Sequence, residues 1–175
     1  MAKVCTRTIF DVLGQANLSL DAEHPMSCHY PVKRYHDYFK FGFVRNPWDR
    51  LVSCWRNKVV DSNYFGLPDN QHRQLQSFDN FVSFVTDQDL EHCDHHIRLQ
   101  ASLIDMNAVD FVGRFESFEA DLLKVAQRLN LGSVSIGKKN SSVRNSDYRR
   151  EYSEVSANKI EIAYSRDINL FQYEF

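Results

Sequence analysis

Phe39, Lys40, Phe41, Gly42, Phe43 and Val44 run without a spacer into Arg45, Asn46, Pro47, Trp48, Asp49 and Arg50. The first stretch alternates large apolar residues with others, which is the period of a strand with one buried face. The second is a helix start. Asn46 is an N-cap residue, Pro47 suits the first helical position, and Asp49 favours the positive end of a helix. Trp48, Leu51, Val52 and Trp55 then line one helix face. A strand feeding directly into a helix predicts an α/β layer. The pattern recurs at residues 110–115 (DFVGRF), which read as a second strand, with Ser117 as cap of a helix buried through Phe118, Leu122, Val125, Ala126 and Leu129. Spacing predicts further helices over 6–18, through Phe78, Phe81, Val82 and Val85, and from Ser153 through Ile160, Tyr164, Ile168 and Phe171. Residues 19–37 read as irregular or only partly helical, and 61–76 as a polar, mobile surface loop. The expectation is one domain over 1–175 with a largely parallel sheet flanked by helices.

Composition narrows the function. Lys and Arg number 21 against 23 Asp and Glu, a formal charge of −2. That balance argues against a strongly basic nucleic-acid binder and leaves room for a local anion site. No apolar run reaches the ~20 residues of a membrane span, and the first residues lack the apolar stretch of a signal peptide. The four cysteines form no CxxC pair and read as free thiols in a reducing compartment.

Arg45 stands where the strand gives way to the helix. Its guanidinium is a planar fork suited to phosphate oxygens, and Ser53 adds a hydroxyl two turns on if a ligand lies along the helix. The other reading of Arg45 is an arginine that caps the helix or pairs with Asp49. Both stay open on the residues alone.

The stretch FVRNPWDRLVS, residues 43–53, resembles the 3′-phosphate-binding motif of the carbohydrate sulfotransferases of the Golgi type and their bacterial relatives. The resemblance implies a P-loop-like α/β sulfotransferase fold. It also implies sulfuryl transfer from 3′-phosphoadenosine 5′-phosphosulfate (PAPS) to a hydroxyl of a carbohydrate or related acceptor, with PAP as product and no metal. Lys3, Val4, Cys5, Thr6, Arg7 and Thr8 are similar to the family's loop that opens a helix and cradles the 5′-phosphosulfate. Lys3 would then stand beside the bridging oxygen. Arg45 and Ser53 would clamp the 3′-phosphate, with Ser142 and Arg144 completing the clamp from a basic loop. His29 would be the general base that takes the acceptor's proton. By itself it is one of seven histidines, in a polar stretch. His96, Arg98 and Gln100 are similar to a family segment on the acceptor side, though Ile97 and Leu99 replace its Trp and Pro.

The family has an apolar strand and a proline where this chain has Met1 and Ala2, so the expected fold lacks the usual first strand. The alternative function is a catalytically inactive homologue that binds a nucleotide or glycan. A bacterial cytoplasmic protein is expected, and an excised lumenal domain would look the same. His92, Cys93, His95 and His96 also offer four soft ligands, but their spacing fits no standard zinc site, and a solvated polar turn is the expectation. Arg114 and Glu116 read as a structural ion pair in preference to residues lining the cleft.

Overall fold

A computed structural model of the chain describes residues 4–15, 35–136 and 147–175. Its centre is a parallel pair of strands, β1 (Phe41–Val44) and β2 (Phe111–Arg114), with Phe41 opposite Phe111 and Val44 opposite Arg114. Alternation along β1 sends Phe43 and Val44 to opposite faces, and two hydrophobic clusters form there. On the Phe43 side, helix α1 (Thr6–Gln15) brings Val12, and helix α5 (Phe118–Arg128) brings Leu122 and Val125. On the Val44 side lie α2 (Pro47–Trp55), α4 (Phe78–Thr86), α6 (Glu154–Ala163) and α7 (Ser165–Phe171). The helix-covered parallel pair agrees with the α/β expectation.

Close approach explains one residue of the pair. A Cβ built on Gly113 would meet the Phe43 ring at 2.5 Å. The bare backbone at 113 therefore lets the Phe43 ring lie over β2.

The α2 start follows the sequence reading closely. Asn46 Oδ1 accepts from the N–H groups of Trp48 at 3.0 Å and Asp49 at 3.5 Å, and Pro47 opens the helix. Three differences have physical causes. Residues 61–76 include a short polar helix, α3 (Asp69–Gln74), which buries no residue and so leaves no apolar period in the sequence. The predicted last helix is two, broken at Tyr164, where the backbone leaves helical geometry and the buried side chain donates its hydroxyl to the Ile97 carbonyl. Ser117 makes no backbone cap; its hydroxyl bonds Asp121 at 2.6 Å.

Candidate functional site at the carboxyl end of the sheet

In parallel α/β sheets, ligand sites form outside the carboxyl ends of the strands. Here that end presents Arg45 after β1 and Phe115 and Glu116 after β2. Arg45 is 2% exposed. Its Nε donates to Asp49 Oδ2 at 2.8 Å and its Nη2 pairs with Asp49 Oδ1 at 2.7 Å, a two-pronged contact one helical turn apart. The guanidinium lies 4.1 Å from the centre of the Phe115 ring. Pairing with Asp49, one of the two readings left open above, is thus present. Ser53 is half-buried and follows Asp49 by one turn, so it shares that helix face.

The main chain at 45 and 46 is held as firmly as the side chain. Arg45 N–H donates to Gln100 Oε1 at 2.9 Å, and Gln100 Nε2 donates back to the Arg45 carbonyl at 2.9 Å. Asn46 N–H donates to Glu116 Oε1 at 2.7 Å, while Glu116 Oε2 accepts from the Tyr173 hydroxyl at 3.0 Å. Glu116 therefore ties β2's end to the helix start. Arg114 instead reaches the Phe171 carbonyl and lies 4.9 Å from the Tyr173 ring, so the expected Arg114–Glu116 pair is replaced by two separate contacts to the chain end.

A second arginine, which the sequence reading did not single out, enters the site. Arg50 is 2% exposed. Its Nη1 donates to the Arg98 carbonyl at 2.8 Å and its Nη2 to the His95 carbonyl at 2.9 Å. Its Nε is buried with no hydrogen-bond partner. Arg50 and Gln100 together fasten segment 94–100 to the start of α2.

Within that segment, Asp94 Oδ1 accepts from the His96 N–H at 2.8 Å and lies 2.8 Å from His96 Nδ1. Burial raises the Asp94 carboxyl's pKa, but the bonds and charges from His96 and His95 outweigh it and hold the carboxyl below its ordinary value. Burial pushes His96 down to about 4 against the opposing pull of Asp94. A carboxylate only accepts, so neutral His96 carries its proton on Nδ1 and keeps the Nε2 lone pair. The Tyr64 ring lies edge-on at 4.8 Å. Arg98 turns back on its own loop, with Nε on the Cys93 carbonyl at 2.8 Å and Nη2 on the His92 carbonyl at 2.8 Å. Gln100 is wholly buried. Of the four soft ligands noted in the sequence, His92 pairs with Asp89 at 2.9 Å. Asp94, His95 and His96 instead bring three ligand-type atoms within 4.8 Å of one another.

At the amino-terminal loop, Val4 and Thr8 are buried, at 2% and 5% exposed, and Arg7 is exposed. Cys5 enters α1 with φ 60°, a left-handed turn uncommon outside glycine. Val4 and Thr6 line a cavity of about 460 Å³ with Ile9, Phe41, Phe43 and Ile104, and neither Arg45 nor Ser53 lines it. The structure therefore brings Arg45, Ser53 and Gln100 to α2, and puts Val4 and Thr6 on a different, largely apolar cavity. Lys3, His29, Ser142 and Arg144 lie outside the described residues. Sequence reasoning missed Arg50, Glu116 and Asp167 as parts of this frame, because their partners are remote in the chain.

Among the described residues no helix is long and apolar enough to cross a membrane. A profile of the sulfotransferase family matches residues 15–174, which begins after the loop at 3–8. Carbohydrate sulfotransferase 14 of Mus musculus is 33% identical over 110 residues, covering 54% of this chain and 29% of that protein. The Homo sapiens protein of that name is 32% identical over 110 residues, with the same shares covered. The Danio rerio one is 28% identical over 114 residues, 55% of this chain and 31% of its own. The chain thus covers under a third of the length of these relatives. They are animal proteins and lend no support to the expected bacterial cytoplasmic location. No solved structure gives a significant match. With β1, the Arg45 junction, β2 and all the helices after them inside the matched span, the chain belongs to the sulfotransferase family.

Proposed function

We propose that this chain transfers a sulfuryl group from PAPS to a hydroxyl of a carbohydrate. The observation that carries the reading is Arg45, a guanidinium held rigid at the carboxyl end of β1 beside the start of α2, inside a family match that runs from 15 to 174. The names of the relatives support a carbohydrate acceptor. In this reading Arg45 and Ser53 hold the donor's 3′-phosphate, joined by Ser142 and Arg144. Asp49 keeps the fork in place, and the phosphate must join or displace it there. The backbone of Val4, Cys5, Thr6, Arg7 and Thr8 receives the 5′-phosphate at the start of α1. Lys3 stabilises charge on the leaving phosphate oxygen. His29 takes the acceptor's proton as the new S–O bond forms and the bond to the 5′-phosphate breaks. Charge neutralisation comes from these protein cations. The segment with His96 and Arg98 is assigned to the acceptor side.

The test is binding first, then transfer. PAP at a hundred times its Kd stabilises a protein that binds it by about 2.7 kcal/mol, seen as a raised Tm. Arg45→Ala is expected to remove most of that shift. Transfer of labelled sulfate from PAPS to a mixed pool of glycans is expected next. A Tm that does not move at saturating PAP overturns the donor assignment; PAP binding without transfer favours the non-catalytic alternative.

A further inference from the structure

Gln100 belongs to the segment assigned to the acceptor side, yet its side chain points the other way. It is 0% exposed, and its amide brackets the Arg45 peptide with one bond accepted and one donated, each 2.9 Å. The two bonds also fix the amide's orientation, since a flipped amide would set NH₂ against N–H and oxygen against oxygen. The bracket has its own support. Asp167, also 0% exposed, comes from α7 and accepts from the N–H groups of Gln100 at 2.7 Å and Ala101 at 2.8 Å. Those two bonds hold the start of the 3₁₀ turn Gln100–Ser102. Gln100 Nε2 lies a further 3.4 Å from Asp167 Oδ2. A chain of short buried bonds thus runs from α7 through Gln100 to the main chain of Arg45.

We propose that Gln100, backed by Asp167, is a positioning residue for the donor site: it sets the Arg45 backbone so that the guanidinium meets a 3′-phosphate, and so selects nucleotides that carry one. The inference rests on the donor reading of Arg45 above. A guanidinium that grips phosphate must be placed to a fraction of an ångström, and a displacement of about 1 Å can cost on the order of 100-fold. Asp49 and Phe115 fix the far end of the Arg45 side chain. Gln100 fixes the near end, where the side chain leaves the backbone.

The experiment compares PAP with 5′-AMP, which lacks the 3′-phosphate, by isothermal titration calorimetry on the whole 175-residue chain. The parent protein is expected to prefer PAP. Gln100→Met keeps the volume and removes both bonds. It is expected to cut the PAP-over-AMP preference about tenfold or more, while its AMP affinity stays within about twofold. A residue that only props up the fold would lower Tm and leave the ratio unchanged in the folded protein. Should Gln100→Met fail to fold, Asp167→Asn, which keeps one of the two backbone bonds, is expected to lower the same ratio by a smaller factor. An unchanged ratio in a folded variant overturns the inference and leaves the donor reading intact. A parent protein with no PAP preference overturns the donor reading itself, and the inference with it.

Discussion

Arg45 and Arg50 are five residues apart on one strand-to-helix junction, both 2% exposed, and they are held in different ways. Arg45 has a carboxylate partner in Asp49. Arg50 has two backbone carbonyls and a buried Nε without a bond. An arginine that bridges two carbonyls makes charge-assisted bonds, each stronger than a neutral one. Removing it leaves the part-buried His95 and Arg98 carbonyls without that donor. Arg50→Met is therefore expected to destabilise the fold by about 3 kcal/mol, read from the urea midpoint. A loss below about 1 kcal/mol would show that water reaches those carbonyls as readily as the guanidinium does. Nothing near residue 50 announces this role. By its spacing Arg50 falls between the apolar positions of an amphipathic helix, where a solvated arginine is the ordinary case.

At the scale of elements, α2 is the hub. Its N-cap, Asn46, does more than cap. Oδ1 takes the Trp48 and Asp49 N–H groups, while Nδ2 donates to the Glu174 carbonyl at 2.8 Å and the Tyr148 hydroxyl at 3.3 Å. The helix start is thereby tied to the end of the chain, where Phe175 packs on Trp48 with ring centres 5.5 Å apart. Losing a cap costs about 1 kcal/mol, and the Nδ2 bonds bring Asn46→Ala to an expected loss of about 2 kcal/mol. Asn46→Asp keeps the cap oxygen and loses the donors, so about half that loss is expected in the same denaturation series. No loss in Asn46→Asp would rule out a separate contribution from Nδ2. The capping half of this was legible in the sequence, because a cap acts within three residues. The link to residue 174 was not, since nothing in the order of residues brings position 46 to it. Helix α6 repeats the lesson: it starts beside Ser153 as read, capped by a reciprocal pair of bonds between Ser153 and Ser156, while the break at Tyr164 follows from a remote carbonyl at 97.

For the whole molecule, the segment at 94–96 links folding to pH. Burial first, then the repulsion of nearby His95 and Lys58, lowers His96 from an ordinary 6.5 to about 4, although Asp94 pulls the other way. The folded chain thus refuses a proton that the unfolded chain accepts. Stability is full above pH 6.5, falls as pH drops towards 4, and levels off below. Burial lowers His95 as well, adding loss in the same direction. Asp94 and Asp121 have lowered values, so their contribution is present above about 3.8 and disappears below it. Acid sensitivity between pH 6.5 and 4 therefore comes chiefly from the histidines; the Ser102 bond lowers Glu91 from 4.5 and adds loss at the acid end, while burial raises Asp167 and opposes it. His96→Phe is expected to flatten the dependence of the urea midpoint on pH across that window and to leave the carboxylate region below it unchanged. A slope as steep as the parent's would remove His96 from the account.

From the order of residues alone come the parts that act over a few positions: the alternation of β1, the Asn46–Pro47 helix start, the amphipathic faces of α4 and α5, and a family likeness carried by residues 43–53. Strand period, cap and helix face are local interactions, so they are written in local spacing. Tertiary structure alone decided which polar groups go inside and what meets them. Gln100 meets Arg45 across 55 positions, Arg50 meets His95 across 45, and Asp167 meets Gln100 across 67. Burying a polar group is tolerated only where a partner waits, and at such separations only the folded chain supplies one.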